Sequence, residues 1–450
     1  MGAGLLQLAA SGDAFEEAVG AQTSYFQSRM VTRTNYAVET KEVPFQRPAT
    51  FGARNACTVP LLGDLMGPVV LKVKLTKDNT AYPYCNKGTY YPVESLCKCI
   101  TVTVGQQVLD THTSDWLRIY DSLHRSPEES LQYQRLANFD GATIVSENPY
   151  TETLYLPLVF AFCRSPVWYL PLLNLPTQEV KLTFDFRTAG EVGVLPDNFY
   201  ASLLVDYVYL TEQERLSYIT ANHHYRYECL QQTGCMVDPP STTATASVTV
   251  PIGFTGDVKS LYFVVKNLDL PYSPVSVLQP DGSFRSDSPY PHGRYFGDAA
   301  GTYLCLQPNQ FSPNGLGLLQ PISEKLAPVA SARITFNGAE RTTVDEFGYF
   351  NKLAPLQHTA RCPLPGIYMY SFVFDPTNVS PTGTALFDQL DVNLHITFKR
   401  SVDAFIYNSQ FDYGEAEQCA SYIENCRDVQ VFGLGYKNLD VYQNYAVITA

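Results

Sequence analysis

Few residue sets in this sequence are spaced for chemistry. His223 and His224 adjoin each other, and each imidazole is a metal-ligand type. The run around them reads as a strand, where neighbouring side chains point to opposite faces, so both rings cannot enter one site without distortion. A two-histidine metal centre on a β-barrel also needs His-x-His with a nearby Glu, a spacing that does not occur. Cys97 and Cys99, with Cys85 upstream, invite a zinc reading. Structural zinc prefers Cys-x(2 to 4)-Cys, and strand alternation places Cys97 and Cys99 on one face as core thiols. Neither set is assigned as a metal site.

Cys229 with Cys235, and Cys419 with Cys426, are left open as disulfides, because spacing says nothing about Cβ geometry. Eleven cysteines are an odd number in a chain too large to need staples, which favours free buried thiols in a reducing cell. Asn378-Val379-Ser380 is a glycosylation sequon, weakened by the following Pro381, and makes Asn378 the one candidate modification residue. No phosphate-binding Gly-x(4)-Gly-Lys-Ser/Thr, His-Glu-x-x-His or Gly-x-Ser-x-Gly occurs. Paired acids such as Asp345-Glu346 and Glu16-Glu17 read as solvated charges. No catalytic, cofactor-binding or metal-binding residue is assigned, and no cofactor is expected.

The elements that would position any site are strands. Tyr 31, Phe 25 and Pro 30 among 450 residues favour pleated sheets joined by irregular loops, giving an all-β reading. Hydrophobic residues at 45% and charged ones at 17% exclude extensive disorder, and the length allows about three average domains or, equally well, two sandwiches of about 200 residues. A net charge of −13 opposes phosphate binding by the chain as a whole, so direct contact with nucleic acid is not expected. MGAGLLQLAA has no basic region, its apolar run is too short for a secretory signal, and Leu6 stands where myristoylation wants Ser or Thr. Leu154 to Leu175 is the most apolar stretch. Its three prolines and Arg164 suit two buried strands better than a membrane helix. Synthesis in the cytosol, with no membrane span of its own, is the corresponding expectation.

Along the chain, residues 1–24 read as an arm. Strand patterns then follow in PVVLKVKL, CITVTVGQQVL, KLTFDFR and SLLVDYVYL, interrupted by helices at Ser114 to Leu123 and from Ser126. Ser126 as cap, Pro127 at the first turn and Glu129 complete a capping box. Thr211 and Glu214 offer a second box at the head of a linker helix over 211–222, so the boundaries are a first sandwich at 25–210 and a second at 223–450. Beyond the linker, HHYRYECLQQTG, ASVTVPIGF, KSLYFVVKNLDL, SARITFNGAERTTV, GIYMYSFVF and DVNLHITFKR repeat the pattern. Asn337-Gly338 is spaced for a two-residue hairpin. Between Leu270 and Val329 a Pro-, Gly- and Ser-rich stretch reads as exposed loops.

GAGLLQLAASG followed by QTSYFQSRMVTRTNYAVE resembles the opening of the major capsid proteins of nucleocytoplasmic large DNA viruses. Arg33, Thr34, Asn35, Ala37 and Glu39 match, with Tyr36 in place of Phe. The runs VGQQVLDTHTSDWLRIYDSL, FCRSPVWYLPLLNLPTQEVKLTF and DYVYLTEQERLSYITANHHYRYECLQ follow in the family's order. So does the run from Asn337 to Pro376, with Phe350, Gln357-His358, Cys362-Pro363, Pro365-Gly366 and Tyr370-Ser371-Phe372. Thr113 and Ser114 depart where Gly is common, Asp388 where Ser is usual, and the insertion after Leu270 does not align. The resemblance implies two tandem eight-stranded jelly rolls per chain, a homotrimeric pseudo-hexagonal capsomer, and contacts with neighbouring capsomers, penton and minor capsid proteins. It also implies an inner-side arm able to meet an internal viral membrane. Two readings stand against it: a carbohydrate-binding or cell-surface β-sandwich module, since Tyr-rich loops can stack on sugars, and an enzyme on a jelly-roll scaffold.

Overall fold

In the computed structural model the described residues are 34–77, 92–137, 150–188, 199–237, 246–267, 329–342, 344–360, 363, 366–378, 383–399, 426–442 and 444–449. The whole 1–24 arm with Glu16-Glu17, Arg33, the stretch 268–328, Val379 and Ser380 of the sequon, Cys85 and Cys419 therefore lie outside them.

Period-two burial builds the first half. In β8 (Val180–Phe186), Val180, Leu182, Phe184 and Phe186 are buried while Lys181, Thr183 and Asp185 are not, so one face meets a core and the other does not. The other strands are β1 (Tyr36–Pro44), β2 (Arg54–Thr58), β3 (Leu65–Lys77), β4 (Cys97–Val104), β5 (Gln107–Thr113), β6 (Tyr150–Pro157), β7 (Leu170–Pro171) and β9 (Tyr200–Leu210). They form two sheets in the orders β1-β9-β3-β6, with β7 beside β3, and β2-β8-β4-β5. Leu71, Val73, Leu154, Leu156, Leu203 and Val205 face Val102, Leu182 and Phe184 across one core.

The second half contains β10 (His223–Met236), β11 (Ser247–Pro251), β12 (Asp257–Asn267), β13 (Val329–Phe336), β14 (Ala339–Glu340), β15 (Ile367–Ser371), β16 (Ala385–Leu386), β17 (Val392–Phe398), β18 (Cys426–Val441) and β19 (Ala446–Thr449). Their sheets run β10-β18-β12-β15, with β16 against β12 and β19 against β18, and β11-β17-β13-β14. Setting aside the short β7, β16 and β19, each half has eight strands among the described residues, and the two halves have the same order in both sheets. Each is a jelly roll, and the chain is an all-β double jelly roll with short helices in its connections.

Those helices are α1 (Pro92–Leu96), α2 (Ser114–His124), α3 (Pro127–Ala137), α4 (Ala161–Arg164), α5 (Glu212–Thr220) and α6 (Ala354–His358). The box at the head of α3 forms as read: the Ser126 amide donates to Glu129 Oε2 at 2.9 Å and the Glu129 amide to Ser126 Oγ at 3.2 Å. The box at Thr211 does not. Its hydroxyl accepts nothing from the helix, and Asp64 holds the site instead, taking the Leu210 amide at 2.8 Å and Arg215 Nε at 3.1 Å. Where α1, α2 and α3 meet, Tyr133 donates to Glu94 Oε1 at 2.5 Å, Ser130 donates to Asp121, and Arg125 lies 3.6 Å over the Tyr133 ring. Burial pushes the Glu94 carboxyl up to about 8, with Arg118 opposing and Asp121 reinforcing.

Several other expectations change. Leu154 to Leu175 is mostly buried, with Pro166 and Val167 exposed, but holds one full strand; after β6 come α4, two single 3₁₀ turns and the two-residue β7, because Pro157, Pro166 and Pro171 interrupt the ladder. Cys99 to Leu109 is a hairpin rather than one strand, turning at Gly105, whose φ is 59°. Cys97 and Cys99 do not share a face, because a bulge between them shifts the register. Cys97 joins the core beside Ile100 and Val102, while Cys99 is half-exposed 3.6 Å from the Thr101 hydroxyl. The sixteen-residue β18, longest of the described strands, escaped the periodicity reading altogether. Asn337-Gly338 does make the two-residue turn between β13 and β14, with φ of 49° and 80°.

Candidate functional site: the seam between the barrels

The middle of the sheet β10-β18-β12-β15 is buried on both faces. Leu261, Phe263, Val265, Val429 and Val431 fill the second barrel's core. The alternate residues Tyr262, Val264, Phe432, Leu434, Ile367 and Met369 pack instead into the cluster of the first barrel. The two jelly rolls thus share one continuous apolar contact, and the segment most responsible is LYFVV at 261–265, apolar at every position because both its faces are covered.

Aromatic rings and charges make this seam specific. Trp116 of α2 meets the Tyr262 ring edge-on at 5.2 Å, and His124 Nε2 hydrogen-bonds Tyr262 Oη at 3.0 Å. Burial, with the Lys259 and Arg164 charges nearby, drops the His124 pKa to about 3, so this ring stays neutral. Trp168 Nε1 donates to the Arg226 carbonyl at 2.9 Å, and Asp110 Oδ1 accepts the Leu230 amide at 3.0 Å while its Oδ2 meets His112. Arg164 at the end of α4 pairs with Glu228 of β10, which also pairs with Lys259 of β12. Lys259 Nζ donates further to the Pro376 carbonyl. Glu228 and Lys259 side chains are 1% exposed, and charges so buried persist only when paired and hydrogen-bonded. Burial lowers the Lys259 pKa, with Glu228 opposing.

The strand after β18 crosses the same seam. Gln178 of the first barrel clamps Ala446, accepting its amide at 2.6 Å and donating to its carbonyl at 3.2 Å, and Gln107 Oε1 accepts the Ile448 amide at 2.9 Å. A pocket lined by Asp110, Phe160, Trp168, Tyr227 and Glu228 lies here, but its volume is about 10 Å³, room for about one water. The seam is a packed joint between the two barrels.

The residues singled out for chemistry are not brought together. His223 Nε2 bonds the Tyr218 carbonyl at 2.9 Å, while His224 Nδ1 bonds Asp440 Oδ1 at 2.7 Å from the other face of β10. Cys229 and Cys235 are both free thiols; six residues apart on one strand, they stand about 20 Å from each other. Among the described residues no group of three His, Cys, Asp or Glu is placed to hold a metal ion. Asn378 is exposed, beside the turn in which Asp375 accepts the Thr377 amide at 2.9 Å. Asp345 and Glu346 are exposed. Reading the sequence for chemistry missed Arg164, Glu228 and Lys259. The available signal was a lone charge inside otherwise apolar strand patterns, as in YECL and VKSLYFVV.

Comparison with known proteins agrees with this arrangement. Residues 24–211 match the family model described as major capsid protein N-terminus, and residues 214–436 match the one described as large eukaryotic DNA virus major capsid protein. The major capsid protein of Paramecium bursaria Chlorella virus 1 is 30% identical over 417 residues, covering 90% of this chain and 89% of the relative. That of Pyramimonas orientalis virus is 28% identical, covering 87% and 90%. Among solved structures, a quasi-atomic model of the PBCV-1 virus capsid superposes with a TM-score of 0.77 at 24% identity, covering 95% of this chain and all of that one. The Faustovirus major capsid protein gives 0.63 at 11% identity, covering 97% and 96%. The chain belongs to the major capsid proteins of large eukaryotic DNA viruses, double jelly-roll structural proteins of the virion shell and not enzymes.

Proposed function

We propose that three copies of this chain associate into a capsomer in which six similar barrels surround a three-fold axis, and that such capsomers tile the facets of an icosahedral shell. One observation carries the reading: both halves have the same eight-strand order in the same two sheets, so a three-fold ring of two-barrel chains is nearly six-fold. A nearly hexagonal block packs into flat arrays, whereas five-fold vertices call for a separate penton protein.

The chain divides into an arm at 1–24, a first jelly roll at 25–210, a linker at 211–222 and a second jelly roll at 223–450. The arm lies on the inner side, where it meets minor capsid proteins or an internal viral membrane. The net charge of −13 suits a shell that encloses a genome without gripping it. Synthesis takes place in the host cytoplasm. Asn378, being exposed, suits an acceptor position for sugar.

Size-exclusion chromatography with light scattering tests the assembly. The expected particle has three times the 50.2 kDa of one chain and a hexagonal outline by negative-stain imaging. A stable monomer or dimer at micromolar concentration would overturn it.

A further inference from the structure

The seam inside the chain joins unlike faces. The first barrel contributes α2 and the segment following β6; the second contributes the outer face of β10-β18-β12-β15. In a ring of alternating barrels, the reading proposed above on which this inference rests, the same contact recurs between chains with the roles moved one barrel on. The second barrel's counterparts of α2 and the post-β6 segment then face the first barrel of the next copy.

Those counterparts are identified by strand order. Where α2 follows β5, the turn Tyr349–Leu353 and α6 follow β14; where Phe160 to Trp168 follow β6, Phe372 to Asn378 follow β15. The short strands repeat the correspondence, since β7 pairs with β3 as β16 pairs with β12. In the first barrel these segments bury Trp116 and Phe160, each 1% exposed. In the second barrel they present Phe374 at 88% exposure, Leu356 at 70% and Leu353 at 44%.

We infer that Phe374, Leu356 and Leu353 form an interaction surface for a second copy of this chain, docking on the outer face of its β1-β9-β3-β6 sheet.

Both surfaces fit that role. The loop bearing Phe374 is held on either side: His358 Nδ1 hydrogen-bonds the Phe374 carbonyl at 3.1 Å, Lys259 takes the Pro376 carbonyl, and Ser371 Oγ donates to the Val373 carbonyl at 2.7 Å. An aromatic anchor already fixed in place loses little entropy on docking. The receiving sheet has the strand order of β10-β18-β12-β15, and its outer face is only partly covered: Ser202 is buried against Glu42, while Lys74 and the β1 end lie open. Its outer face shows Val38 at 54% and Tyr200 at 49% exposure, with Lys74 over the Tyr200 ring at 5.9 Å. Copies carrying −13 each repel at long range, so a close contact between them is best made by uncharged side chains with a cation on the receiving face.

Two surface variants test the pairing in the full chain. Phe374→Asp with Leu356→Asp removes the docking face, and Val38→Asp with Tyr200→Asp removes the receiving face. Each alone is expected to run as a 50.2 kDa monomer with the far-ultraviolet circular dichroism spectrum of the wild type, and to melt lower than the trimer because association no longer stabilises it. Mixed, the two are expected to form a 1:1 dimer and nothing larger, because one intact docking face then meets one intact receiving face and the ring cannot close. Trimers from either variant, or no dimer on mixing, would overturn the pairing while leaving a wild-type trimer standing. A wild-type chain that does not trimerise would overturn the ring itself and this surface with it. If the aspartates reduce folded yield, Phe374→Ala and Tyr200→Ala read the same faces, with at least tenfold weaker trimerisation expected from each.

Discussion

Asn337 and Gly338 are consecutive residues in the left-handed region, and Asn337 is the one non-glycine with positive φ among the described residues. Nothing lies within 4 Å of a Cβ built on Gly338, so its substitution is opposed by backbone conformation alone. Asn337-Gly338→Ala-Ala is expected to cost about 1–2 kcal/mol, read as a lower urea midpoint; an unchanged midpoint would contradict the turn. Glu94 makes a second prediction at this scale. Its carboxyl is held at about 8 against an ordinary 4.5, so its contribution to stability is complete below pH 4.5 and lost as pH rises through 8. The stability of wild type minus that of Glu94→Gln should therefore fall between about pH 5 and about pH 8 and level off above. A flat difference across that window would show that Glu94 titrates normally.

Among the elements, β18 explains most of how the second barrel closes, since it pairs with β10, β12 and β19. Its glycines are there for space: a Cβ on Gly435 would stand 2.5 Å from the Asp257 carbonyl oxygen, and one on Gly433 would stand 2.5 Å from the Phe254 ring. The seam binds β10 and β12 to α4 through the Arg164, Glu228 and Lys259 triad. Removing one cation leaves Glu228 under-compensated in a dry joint, so Lys259→Met is expected to cost about 3–5 kcal/mol in a denaturant melt. Replacing all three by Arg164→Met, Glu228→Leu and Lys259→Met should recover most of that loss, because no charge then remains to desolvate. A triple variant as unstable as the single one would mean that Lys259 acts mainly through the Pro376 carbonyl.

For the whole molecule, repetition is the organising fact. Two barrels of one strand order, joined by a shared apolar contact as well as by α5, form a single two-part block. The arm is separable from that block in the proposed assembly. Deleting residues 1–24 is expected to leave trimers of normal mass and melting temperature while abolishing closed shells in an assembly assay scored by electron microscopy. Normal shells from the truncated chain would remove the arm from assembly.

Local rules were enough for much of this protein. Alternating side chains marked most strands, Asn337-Gly338 marked a hairpin, and Ser126 with Glu129 marked a helix start, because each signal depends on residues a few positions apart. The family resemblance was likewise carried by contiguous runs such as Asn337 to Pro376. Tertiary structure decided what depends on distant partners. Gly433 and Gly435 weaken any local strand signal in β18, yet they are required where Phe254 and Asp257 come close. The bulge that turns Cys97 inward is set by its pairing with β8, Asp64 takes the Leu210 amide beside a Thr211 that caps nothing, and Glu228 meets Lys259 only across its own sheet and Arg164 only across the seam. A chain can encode its own periodicity locally, but burial on a sheet's second face is conferred by whatever packs there, and in this protein that is another barrel.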